Sequence, residues 1–73
     1  MTATANQAVA AMRVVQAVAD AVREAGEIPA GTLYAALMQS GCTLERFEWI
    51  IGILTEAGVV RREASHLLRW VGQ

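Results

Sequence analysis

Apolar residues recur at helical spacing in three stretches of the 73-residue chain, then give way near its end to short apolar runs around a polar turn. The first stretch is the longest. Thr4 followed by Gln7 matches a capping box, and Gly26 stands where a helix-terminating glycine belongs, so the pattern predicts a first helix from about Ala5 to Ala25. Arg13, Gln16, Asp20, Arg23 and, just past the end, Glu27 succeed one another at intervals of 3, 4, 3 and 4, which collects them in one narrow stripe. Ala, Val and Met fill the remaining circumference. A helix apolar over most of its girth calls for cover on more than one side, whereas the rest of so short a chain can cover only one. The surface around Val9, Met12, Val14 and Val18 is therefore a candidate self-association face. Against this stands a plainer reading: alanine offers little apolar area, and the helix simply lies on its own domain.

After Gly26, Glu27-Ile28-Pro29 reads as a very short extended piece, because proline disfavours a helical residue before it. A second helix follows from Ala30 or Gly31 to about Gln39, with Leu33, Ala36 and Leu37 inward and Tyr34 and Met38 as an outward apolar pair. Ser40-Gly41-Cys42 makes a tight turn. Thr43 as N-cap and Glu45 in the first turn open a third helix over Leu44 to Ala57, and Gly58 stops it. Its buried face is expected at Leu44, Phe47, Ile51 and Leu54, spaced 3, 4 and 3. The remainder reads as a β-hairpin, with strands near Val59 to Arg62 and Leu67 to Val71 around the turn Glu63-Ala64-Ser65-His66. A lone hairpin is marginal in water, so it must lean on the helices, and Ile28 is placed to add a third short strand.

These elements make a mostly α fold with a small β-hairpin, a single domain over residues 1–73 with residues 1–4 expected to be disordered. A chain this short buries only roughly 60% of its unfolded surface, so every apolar stripe matters. Composition is 55% hydrophobic but 5% aromatic, which favours helices around a thin core. Six arginines against seven acids leave a net charge of -1, so the chain has no overall attraction to nucleic acid and any such attraction must be local. Locally, Arg61, Arg62 and Arg69 against Glu63 give Val59 to Gln73 a charge of +2, while residues 1–58 carry -3. The lone Cys42 makes no internal disulfide, and Arg13, Gln16 and Asp20 break the apolar run of the first helix. Neither a targeting segment nor a membrane span is expected, and a cytoplasmic setting is the default. Met1 and the compact ending at Gln73 lead to the expectation of a complete small protein.

Catalysis has little footing. His66 and Cys42 are single in kind and kept apart by the expected fold, and Ser65 beside His66 is only a neighbour in sequence. The chain has no glycine-rich phosphate loop, no paired histidines and no cysteine pair, so neither cofactor nor metal is expected. Cys42 is read as a small turn or core residue. The chain is read as a binding module and not an enzyme.

The order helix, short strand, helix, tight turn, helix, hairpin, carried by IPAGTLYAALMQSGCTLERFEWIIGILTEAGVVRREASHLLRWV, resembles the winged helix-turn-helix domains of transcription regulators. The ending LTEAGVV of the third helix, followed by RRE, is the part that most resembles the family pattern of Leu, two or three polar or small residues, Gly, an aliphatic residue and then a basic wing strand. The resemblance covers about residues 9 to 71. It implies three helices plus a wing, and duplex DNA as partner, with the third helix in the major groove and the wing against the backbone or minor groove.

Two functional readings follow. In the first, a small DNA-binding regulator grips phosphates through Arg46, Arg61, Arg62 and Arg69, with His66 at the hairpin tip. The alternative for the wing arginines is a solvated edge that keeps strands from aggregating, and for His66 a solvated turn residue. The outward set of the third helix, Glu45, Arg46, Glu48, Trp49, Gly52 and Glu56, departs from the family pattern, because three acids would repel phosphates and bases are usually read by Arg, Lys, Asn, Gln, Ser or Thr. In the second reading, the fold is a protein-interaction module that binds no DNA. Its contact surface is then the Trp49 face, with Trp49 as anchor, the acidic third helix, or the Ala/Val helix through which the chain is expected to form a homodimer. Trp49 has its own plain alternative, packing as core beneath the wing. Trp70 is expected to seal the sheet against the helices.

Overall fold

The computed structural model describes the backbone of residues 2–72 and the side chains of residues 9–72. It contains α1 (Thr2–Ala25), β1 (Glu27–Pro29), α2 (Ala30–Met38), α3 (Leu44–Glu56), β2 (Val60–Glu63) and β3 (Leu67–Trp70), with one turn of 3-10 helix at Ala64–His66. The three strands form an antiparallel sheet in the order β1-β3-β2. Three helices with a small antiparallel sheet in this order match the winged-helix-like arrangement that the elements predict.

Local chemistry explains most boundaries. Gly26, at φ +79°, takes the left-handed conformation that ends α1, and its N–H donates to the Val22 carbonyl at 2.8 Å. Pro29 closes β1 and opens α2; with no N–H to offer a ladder, it is tolerated because β1 is an edge strand. Thr43 caps α3, its Oγ1 accepting from the Arg46 N–H at 3.1 Å. At the other end of α3 the Val59 N–H returns to the Leu54 carbonyl at 3.2 Å, across Gly58 at φ +79°.

β3, the last element in the chain, is the central strand. Ile28 pairs with Leu68 on one side of it and Arg62 with Leu68 on the other, so Ile28 does supply the third strand. The core draws on every helix and on both hairpin strands: Val15, Val18, Ala19 and Val22 of α1, Ala30 and Leu33 of α2, Phe47, Ile50, Ile51 and Leu54 of α3, Val60 of β2 and Leu68 of β3. Burying each of the larger aliphatic side chains contributes about 1.5–3 kcal/mol.

The structure corrects several expectations. α1 begins at Thr2, ahead of the start near Ala5 that the cap signals predict, while the side chains of the Thr4–Gln7 capping box lie outside the described residues. Val18 is 1% exposed and belongs to the core, not to a self-association face, because it shares a row with Val15 and Val22. Val14 is exposed, but two residues from Met12 along a helix points the opposite way, so the four named residues form no single patch. In α3 the buried row contains Ile50 and leaves Leu44 56% exposed, since the first helical residue lies beyond the reach of α1 and the sheet. Ala36 is exposed rather than inward, and Tyr34 is half-buried with its ring centroid 5.3 Å from that of Phe47, so that of the expected outward pair only Met38 is exposed. Trp70 is half-buried against the core, with the Arg23 guanidinium 6.0 Å from its ring centroid.

The hairpin turn is three residues long, and two of them, Ser65 (φ 65°) and His66 (φ 58°), are non-glycine residues in the left-handed region. That conformation costs L-residues about 1–2 kcal/mol each, and glycine carries its own entropic cost of about 0.5–1 kcal/mol. Ser65→Gly and His66→Gly are therefore each expected to stabilise the domain by a few tenths to about 1 kcal/mol, read from the urea midpoint. A lower midpoint would mean that the replaced side chain, and not the backbone, sets the turn.

Candidate functional site

Glu45, Trp49, Gly52 and Glu56 succeed one another at intervals of 4, 3 and 4, which aligns them in one row of α3 opposite the row that holds Phe47, Ile50, Ile51 and Leu54. Trp49 is 49% exposed, so it is an outward residue and not core beneath the wing. Large aromatic side chains normally bury most of their surface, and this one stands in solvent between carboxylates. Among the described residues Glu45 and Glu56 take part in no ion pair, and the charged side chains of α3 are three acids against Arg46 alone.

The wing is built differently. Arg61 and Arg69 are directly opposite in the β2–β3 ladder, where like charges destabilise. Glu63, two residues along on the same face, lies between them, with Oε1 3.2 Å from Arg69 Nε and Oε2 3.7 Å from Arg61 Nη1. Glu27, across the other ladder, places Oε1 3.6 Å from Arg69 Nη2. The outward sheet face thus carries two arginines and two glutamates. Arg62, on the opposite face with Leu68, reaches α3 and donates to Glu48 Oε1. Glu27 and Glu48 come from elements distant in sequence, and with Glu63 they match the three wing arginines charge for charge. The +2 read along the C-terminal segment becomes zero in the folded domain.

The other predicted contact residues are scattered. His66 stands exposed at the hairpin tip. Arg46 lies at the start of α3 and lines a shallow cleft of about 300 Å³ with Val14, Leu37, Gly41, Cys42 and Thr43. Cys42 is half-buried in the turn between α2 and α3, its thiol 3.5 Å from the Thr43 carbonyl. Val9 and Met12 are exposed on the first half of α1, and Trp49 stands on α3. Sequence reasoning missed Glu27, Glu48 and Glu63 as partners of the wing. For Glu63 the signal was present, since alternation along one strand puts it beside Arg61. Among the described residues no group of three or more His, Cys, Asp or Glu is placed to hold a metal, and no helix is long and apolar enough to cross a membrane.

Compared with protein-family models, curated proteins and solved structures, the chain finds no match.

The contrast between two neighbours in α3 can be measured. Ile50→Ala is expected to cost about 2–5 kcal/mol, as a fully buried aliphatic truncation does. Trp49→Ala, despite removing a larger side chain, is expected to change stability by less than about 1 kcal/mol, because about half of the residue already lies in solvent. Chemical denaturation of both variants checks this, and a Trp49→Ala loss as large as that of Ile50→Ala would return Trp49 to the core. Glu48→Ala, which opens an exposed pair with Arg62, is expected to cost no more than about 1 kcal/mol.

Proposed function

We propose that this domain is a protein-interaction module whose contact surface is the outward row of α3 with Trp49 as anchor, and that two copies associate through α1. The observation that carries the first part is the half-exposed indole at the middle of an acidic row, on the helix that winged-helix regulators turn toward DNA. Trp is among the residues that dominate binding energy when a partner desolvates them, and flanking charges set orientation and on-rate more than affinity. The matching partner is a protein that offers an apolar pocket for the indole, rimmed by Lys or Arg to meet Glu45 and Glu56.

Duplex DNA is the poorer fit. A duplex laid against α3 in the usual orientation meets three acids, Glu45, Glu48 and Glu56, against Arg46 alone on that helix, and each wing arginine must leave a glutamate to reach a phosphate. Three phosphate contacts by Arg61, Arg62 and Arg69 would weaken roughly 40-fold between about 50 and about 200 mM salt. Fluorescence anisotropy with a labelled random duplex at these two salt concentrations is expected to give no saturable binding at either. In parallel, a photo-crosslinking amino acid at Gly52 is expected to trap a discrete protein in cells, with the adduct lost on Trp49→Ala and kept on Val9→Ala. Duplex binding with a steep salt dependence, lost on Arg61→Ala with Arg62→Ala, would overturn the proposal in favour of a DNA-binding regulator.

A further inference from the structure

The domain exposes more surface than its mass calls for. Its accessible area is 5047 Å², whereas a compact monomer of 7.8 kDa exposes about 4400 Å². Its radius of gyration is 12.4 Å, against about 11 Å for a compact chain of this length. The cause is α1. At 24 residues the helix is about 36 Å long, and Val15 is its first buried side chain among the described residues, so its first half projects beyond the body. The excess of roughly 700 Å² is close to the roughly 800 Å² that each partner contributes to a standard stable interface.

What covers the projection can be read from its rows. Val9, Met12 and Gln16 follow at intervals of 3 and 4 and share one face, on which Val9 is 51% and Met12 56% exposed. Residues 1–12 contain no charged side chain, so two such segments can be laid together without opposing like charges. The first turn of α1 also lacks an acidic residue, so the helix itself places no carboxylate at the positive end of its dipole. Asp20, held by the Gln16 amide at 3.0 Å, lies at the far end of the same side of the helix.

We infer that two α1 helices pair antiparallel along this face, Val9 of each copy against Met12 of the other, with each Asp20 at the start of its partner's helix. This rests on the self-association proposed above and adds its direction and register. The contact is isologous, as a two-fold dimer requires, because Val9 meets Met12 twice. Antiparallel pairing also opposes the two helix dipoles favourably, and it supplies each N-terminus with a carboxylate.

Two measurements separate the register from the self-association beneath it. Light scattering on the intact protein from micromolar to near-millimolar concentration is expected to report twice the monomer mass, falling to the monomer for Val9→Glu with Met12→Glu, whose circular dichroism stays that of the wild type. Wild-type protein that remains monomeric throughout would sink both the register and the self-association. In a Cys42→Ser background, a mixture of the single variants Val9→Cys and Met12→Cys is then expected to form the mixed disulfide under mild oxidation faster than either variant links to itself. Dominant self-linking of Val9→Cys, in a protein that is dimeric, would overturn the antiparallel register and leave the dimer standing.

Discussion

The structure depends on β3 holding the centre of the sheet. It is the last element of the chain, yet β1 and β2 pair only through it, and its Leu68 is the sheet residue seated most deeply among the helices. The pairing of Glu27 with Arg69 closes a loop that encloses α2 and α3. Such long-range contacts are entropically expensive and are repaid only when the apolar residues they gather make one core. In a domain with so few core residues, the same contact that completes the sheet also fixes where the wing stands relative to α3.

That placement settles the electrostatics of the wing. Arginines clustered along a strand look like a cationic surface in one dimension. In three, β1 brings Glu27 to one side of them, α3 brings Glu48 to the other, and Glu63 lies between Arg61 and Arg69. Each of these exposed pairs contributes little to stability, but together they remove the local charge that would attract a polyanion. The surface left with a net character is the outward row of α3, acidic and centred on an indole.

α1 poses a different constraint. A helix of its length cannot be covered by a 9-residue helix, a 13-residue helix and three short strands. Its second half supplies four core residues and anchors the domain, while its first half carries apolar side chains past the end of the body. Two surfaces with different chemistry follow, one acidic and aromatic on α3, the other uncharged and aliphatic on α1. They lie on separate elements, so one can engage a second copy while the other engages something else.

The sequence by itself determined the number and order of elements, because those rest on local chemistry: Gly26 and Gly58 ending helices, Pro29 separating β1 from α2, Thr43 capping α3, and apolar periods of 3.6 and 2 between them. Helical spacing also contains the outward position of Trp49, which lies in line with Glu45 and Glu56, although an aromatic residue is more readily assigned to a core. Other features belonged to the tertiary structure alone. Whether Leu44 or Ile50 joins the buried row depends on how far α1 and the sheet extend over α3, and whether Val18 faces in or out depends on which side of an almost uniformly apolar helix meets the body. The neutrality of the wing was likewise invisible along the chain, since Coulombic pairing acts through space and two of the three glutamates arrive from elements more than a dozen residues away.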